Sequence, residues 1–231
     1  MYDSKYSNLL TIILVLVIVI IIALLAFLGF DYARKYKISK DASDAVAEFE
    51  EDNKEKTENN IKKDNVEEKT NEIAQLNVIE EQSSESTSSK NSSKKKTYKG
   101  FTVLGTIKIP SINLEYPIVE EVSTSALENA VIALYPAGGT RLNQVGNTVI
   151  IGHNYRNGLF FSNVKKLENG DKAYITTDNK KITYTVYNKF VTTDTDTSFY
   201  ERDTNGKAEI TLSTCTDASN EQRQIIFARE S

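Results

Sequence analysis

The sequence predicts an all-β domain over residues 98–231, set behind one membrane-spanning helix and a charged, flexible stalk. Three observations carry that expectation. Residues 9–30 contain one polar side chain, Thr11, in 22 positions. Residues 38–97 place 25 charged residues in 60 and hold one aromatic, Phe49. After Tyr98, short β-branched and aromatic runs are broken by turn residues, which is the pattern of strands.

As a helix, residues 9–30 are long enough to cross a hydrocarbon core of about 30 Å. A cleaved signal peptide would have a shorter apolar stretch, roughly 7 to 15 residues, ending in small residues. Phe27, Leu28 and Phe30 stand there instead, so residues 1–37 read as a retained anchor. Arg34, Lys35, Lys37 and Lys40 follow the span, whereas Lys5 and the α-amino group precede it. Read alone, that asymmetry puts the C-terminal bulk in the cytoplasm.

Residues 38–97 carry too little apolar surface to offset the entropy of ordering and read as a largely disordered stalk. Val46, Phe49, Ile61, Val66, Ile73 and Leu76 could support transient helix or a weak coiled coil. Residues 82–97 hold nine Ser or Thr and end near Lys94, Lys95 and Lys96, a flexible composition.

In the third region the strand candidates are 101–109, 114–119, 147–151, 172–177, 181–190, 208–214 and 224–228. Asp178 and Asn179 form a tight hairpin turn between two of them. Residues 125–134 read as a short helix capped by Thr124 or Ser125. Seven or eight strands in 134 residues close into a barrel or stack as a sandwich. No internal repeat is present.

The net charge of −4 is spread over both signs and leaves no basic stripe, which excludes nucleic acid as a partner. One Cys permits no internal disulfide and leaves the redox compartment open. One His and one Cys argue against a zinc site, which usually draws several ligands from these residue types. A nucleophile paired with an acid remains. His153 follows the apolar run 148–151 and Gly152, where a buried strand gives way to a polar loop. Cys215 ends the run 208–214, on the face shared by Thr211 and Ser213. Arg223 opens the next strand after a short connection, which brings it near Cys215 across paired strands.

Together these three suit acyl transfer. A thiolate attacks a carbonyl, an imidazolium protonates the leaving amine, and a guanidinium favours the thiolate or the oxyanion. The plainer alternative is an inert packing cysteine, an exposed histidine and a solvated surface arginine. Spacing alone leaves both open.

The motifs go further. Thr211-Leu212-Ser213-Thr214-Cys215 resembles the Thr-Leu-x-Thr-Cys motif of the sortase family, and Arg223 stands where that family's arginine follows. Residues 147–154, with Gly152-His153, resemble the strand ending in the family's Gly-His. Gly105-Thr106-Ile107-Lys108-Ile109-Pro110 resembles its early Gly-x-Ile-x-Ile-Pro strand, and Leu167-Glu168-Asn169-Gly170-Asp171 its Leu-x-x-Gly-Asp turn. The resemblance covers nearly all of residues 98–231, with four motifs in the family's order.

It implies a closed eight-stranded barrel with short helices, held on the outer face of a Gram-positive-type cell by the N-terminal helix. The implied activity is that of a cysteine transpeptidase cutting a Leu-Pro-x-Thr-Gly-like sorting signal. Cys215 would be the nucleophile that holds the thioester, His153 the general acid and base, and Arg223 the cation that positions substrate and stabilises the oxyanion. The implied partners are surface proteins bearing a C-terminal sorting signal, a peptidoglycan-precursor amine or a pilin lysine as acceptor, and membrane lipid around the anchor. No cofactor is required by this chemistry, and a regulatory calcium could draw on Asp194, Asp196 or Asp203 without an assignment.

No Asp-Pro dipeptide is present and no second apolar span follows Arg229, which disfavours the pilin-assembling class. The 191–209 stretch is too short for the long helical insertion of the iron-acquisition class. A papain-like protease would place Cys before His, and an L,D-transpeptidase would place Ser-His-Gly before its Cys; neither order is found. A non-catalytic, membrane-tethered β module is the rival of another class.

Overall fold

A computed structural model describes residues 4–67, 96–135 and 141–231. It resolves into two compact units, Met1–Asp41 and Ala42–Ser231. Helix α1 (Ser4–Glu67) runs through the first and into the second. In the first unit the helix is long and apolar enough to cross a membrane, and its large apolar side chains are exposed, as contact with lipid requires.

In the second unit, α1 departs from the expected disordered stalk. Ala42, Val46, Phe49 and Asn53 are buried, and their spacings of four, three and four residues put them on one face of the helix. That face lies on the β domain. Asn53 Nδ2 donates to Thr177 O (3.1 Å), Thr176 Oγ1 donates to Glu50 Oε1 (3.1 Å), and Ser43 Oγ donates to Glu115 Oε2 (3.3 Å). Lys96 Nζ donates to Phe49 O (2.9 Å) and sits 4.1 Å from the centre of the Phe49 ring. Val46 and Phe49 with Ala42 are thus sufficient here, because they fall on one stripe and a ready surface receives them, whereas Ile73 and Leu76 lie outside the described residues. The Ser-rich 82–95 segment lies outside the described residues.

The β domain comprises β1 (Thr97–Tyr98), β2 (Phe101–Ile109), β3 (Leu114–Val119), β4 (Val131–Leu134) and β5 (Gly146–Ile151). It continues with β6 (Lys172–Thr176), β7 (Lys181–Thr193), β8 (Ala208–Cys215) and β9 (Gln222–Glu230). The strand order is β1-β2-β3-β4-β5-β8-β9-β7-β6, and β2 also pairs with β6. That last pairing closes β2 through β9 into an eight-stranded barrel, with β1 as an extension on β2. Closure removes the free edges that an open sheet would expose. Gly105 permits it: a Cβ there would stand 2.5 Å from Thr176 O on the partner strand.

One feature of the β domain differs from expectation. The 125–134 segment is not one helix: α2 is Thr124–Leu127, capped by Ser123, whose hydroxyl accepts from Ala126 N (3.1 Å), and Val131–Leu134 forms β4. A four-residue apolar run fits either period, and here the open edges of β3 and β5 decide it. The Asp178 and Asn179 turn is present, with Thr177 N donating to Lys180 O (2.8 Å) between β6 and β7.

Two pairings are parallel, β3 with β4 and β5 with β8; the rest are antiparallel. The β5–β8 pair sits at the centre of the site described next. All of β8 up to Thr214 is buried, including Glu209, Thr211 and Ser213. On one side of these strands Val149, Phe199, Ile225 and Phe227 form a buried cluster.

Candidate active site

β5 and β8 run side by side in register up to Ile151 opposite Ser213. Two residues further on each strand stand His153 and Cys215, so parallel pairing delivers both to one rim of the barrel. The junction is tied by two bonds from β8: Gly152 N donates to Ser213 O (3.3 Å), and Thr214 Oγ1 donates to Gly152 O (2.7 Å). Gly152 must lack a side chain, because a Cβ there would stand 2.8 Å from Cγ of the buried Phe161 ring. The Gly-His pair is therefore a packing requirement that sets the position of the histidine.

Cys215 and Arg223 face each other as register partners across antiparallel β8 and β9. Arg223 Nη1 donates to Cys215 Sγ at 3.4 Å. The same nitrogen donates to Gln222 O (3.2 Å) and to Asn220 O, and Nη2 lies 4.0 Å from Asp194 Oδ2. Backbone carbonyls of the β8–β9 connection thereby aim the guanidinium at the sulfur. Cys215 is a free thiol and partly exposed, as a nucleophile must be.

His153 is half-buried. Burial pushes its imidazole below the usual value, and the Glu128 carboxylate at the end of α2 opposes that shift. Its ring lies 4.7 Å from the Tyr155 ring, which meets Phe160 edge-on at 5.6 Å, and Phe160 stacks on Tyr116 at 4.8 Å. The backbone is clamped as well, with Phe161 N donating to His153 O (2.9 Å).

Two further side chains join the His and Cys loops. Asn154 Nδ2 donates to Cys215 O (2.9 Å) and to Asp217 Oδ1 (2.9 Å), while Lys165 pairs with the other Asp217 oxygen. These bonds hold the Asp217 carboxyl below the usual carboxylate range. The position of Asn154 directly after His153 was the only signal for it.

The three aspartates considered for calcium have other neighbours. Asp194 approaches Arg223, Asp196 accepts from Thr192 Oγ1 (2.6 Å) and Ser198 N (2.9 Å), and Asp203 accepts from Asn205 N (2.8 Å). Among the described residues no three His, Cys, Asp or Glu side chains converge as a metal site.

Comparison with known proteins identifies the family and the fold. Sortase A of Bacillus anthracis is 32% identical over 130 residues, covering 54% of this chain and 58% of that protein. Sortase A of Streptococcus agalactiae is 29% identical over 135 residues, covering 54% and 52%. The chain thus matches between half and three-fifths of the length of these curated relatives. Among solved structures, sortase A from Corynebacterium diphtheriae superposes with a TM-score of 0.52 at 30% identity, covering 57% of this chain and 61% of that one. A sortase D5 transpeptidase from Clostridium perfringens gives 0.50 at 28%, covering 56% and 79%. The family model described as the Sortase domain matches residues 107–231, which include every strand from β3 to β9 and all three site residues, and the chain belongs to the sortase family.

Proposed function

We propose that this chain is a cysteine transpeptidase of surface-protein anchoring, with Cys215 as nucleophile, His153 as general acid and base, and Arg223 as the positioning and oxyanion-stabilising cation. The observation that carries the reading is the juxtaposition of Cys215 Sγ and Arg223 Nη1 at 3.4 Å on a rim that also ends in His153. The thiolate attacks the carbonyl carbon of Thr in a Leu-Pro-x-Thr-Gly-like signal. As the C–N bond breaks, the imidazolium gives its proton to the departing amine, leaving a thioester on Cys215. An incoming amine then attacks the thioester, loses its proton to the neutral imidazole, and releases the thiolate.

The acceptor is a peptidoglycan-precursor amine and the donor a surface protein with a C-terminal sorting signal. The N-terminal helix, surrounded by lipid, keeps the enzyme at the outer face of the membrane.

Incubation with sorting-signal peptides and mass spectrometry of the protein test this directly. An acyl adduct should form on Cys215 and disappear on adding an amine. Cys215→Ala forms none, and His153→Ala slows turnover by about 10²- to 10⁴-fold while leaving the thiol alkylatable. Arg223→Lys rescues poorly, since an ammonium lacks the planar fork that can reach two acceptors at once while positioning substrate and stabilising the oxyanion. Failure of the parent to acylate with any member of a broad peptide library would return the chain to the tethered-module alternative.

A further inference from the structure

A histidine that serves as acid and base must present one ring edge to the reacting atoms, yet rotation about its Cβ–Cγ bond is broad and roughly two-fold. In other sites a hydrogen bond from the second ring nitrogen settles the orientation. Here, among the described residues, the imidazole of His153 makes no hydrogen bond, and its ring partner is Tyr155, with planes inclined by 38°.

Tyr155 is the outer member of a row. Phe160 meets it with planes at 70° and stacks on Tyr116 with planes at 21°. Tyr155 is 43% exposed, whereas Phe160 and Tyr116 are buried. The row thus runs from the rim down to β3, a strand that does not pair with β5. It supports the imidazole from a side that its own strand cannot.

The 154–160 loop is bent to make this row. Phe160 has a φ of 49°, which a bulky residue rarely adopts, and Arg156 has a φ of 56°. Such conformations cost free energy and persist only where the surroundings over-determine them. They do so here. Asn154 and Phe160 form an isolated antiparallel bridge, Phe160 N donates to Tyr116 Oη (3.0 Å), and Arg156 N donates to Asn154 Oδ1 (3.0 Å). At the rim, the outcome of this strained loop is one tyrosine ring set against the histidine.

We propose that Tyr155 is a positioning residue whose ring, braced by Phe160 and Tyr116, fixes the rotation of the His153 imidazole so that one edge is kept toward the thiol. The effect on rate rests on the transpeptidase reading above. Tyr155 itself touches no reacting atom. Its plainer role would be apolar cover, which a leucine would supply as well as an aromatic ring.

The test uses the full chain in detergent micelles, with Tyr155→Leu, which keeps apolar bulk without the ring, and Tyr155→Phe, which keeps the ring. Both should unfold near the parent's midpoint, because the side chain lies at the surface. Carbon-13 labelling of histidine reports on one imidazole, since the chain has one His. The NMR order parameter of its Cε1–H bond should be that of a rigid group in the parent and in Tyr155→Phe, and should fall in Tyr155→Leu. For a Leu-Pro-x-Thr-Gly peptide, Tyr155→Leu should lower kcat by about 10-fold with KM unchanged, within the range that misplacement by about 1 Å produces. Tyr155→Phe should restore most of that loss. A parent-like order parameter in Tyr155→Leu, or an unchanged kcat where the parent is active, would overturn the proposal. So would a loss confined to KM, which would make the ring a substrate contact, or an equal loss in both variants, which would place the role in the hydroxyl. If the parent cleaves no member of a broad peptide library, the transpeptidase reading fails separately, and the order parameters alone decide whether the ring holds the imidazole.

Discussion

His153 is the chain's only histidine, so its imidazole can be followed by NMR in the intact protein without ambiguity. Burial favours the neutral ring and Glu128 favours the charged one, with burial the larger. The midpoint should lie below the usual value of about 6.5, and Glu128→Gln should move it further down. An unmoved midpoint would show that the carboxylate does not act on the ring. The sign for stability follows, since the folded state prefers the neutral form: the contribution is complete above the usual pKa and is lost as pH falls through the lowered one. At neutral pH the acid form is then a minority species, but one that surrenders its proton readily to an amine. At this scale the sequence was informative where a residue type is rare or fixed in a motif, as for His153, Cys215 and Arg223. It assigned no role to Asn154 or Asp217, which become partners only in the fold, 63 residues apart in sequence.

Elements were legible according to how strongly their own pattern constrained them. β2, β3, β6 and β8 announce themselves by β-branched runs, whereas β4 is four residues long and owes its state to neighbours on both sides. The docked part of α1 was hidden for a different reason: its charge density is that of a solvated segment, and only the spacing of Ala42, Val46, Phe49 and Asn53 marks a buried face. That face carries a prediction. Phe49 is 3% exposed, and truncating a buried Phe costs about 3–5 kcal/mol. Phe49→Ala should therefore lower the denaturation midpoint of a 42–231 fragment, and a fragment starting at Lys96 should fall by at least as much while still forming the barrel. Equal midpoints in chemical denaturation would mean that the helix adds nothing to the fold.

For the molecule as a whole, barrel closure was anticipated from strand number and family motifs, although strand order was not, because β5 and β8 become neighbours only after β6 and β7 have passed around the barrel. The flanking charges point one way for membrane orientation and family membership points the other. Long domains translocate largely regardless of charge, so we expect protease added to intact protoplasts to digest residues 98–231; protection until lysis would reverse that topology. The position of β9 has a consequence for how such a protein comes into being. It is the last strand of the barrel to be synthesised, it inserts between β7 and β8, and it carries Arg223. A chain made from its N-terminus therefore presents the thiol before the guanidinium, on a barrel that is still open. The nine residues of β9 bring the guanidinium to the thiol only as the barrel closes, so the contact between Cys215 and Arg223 is a product of the finished fold.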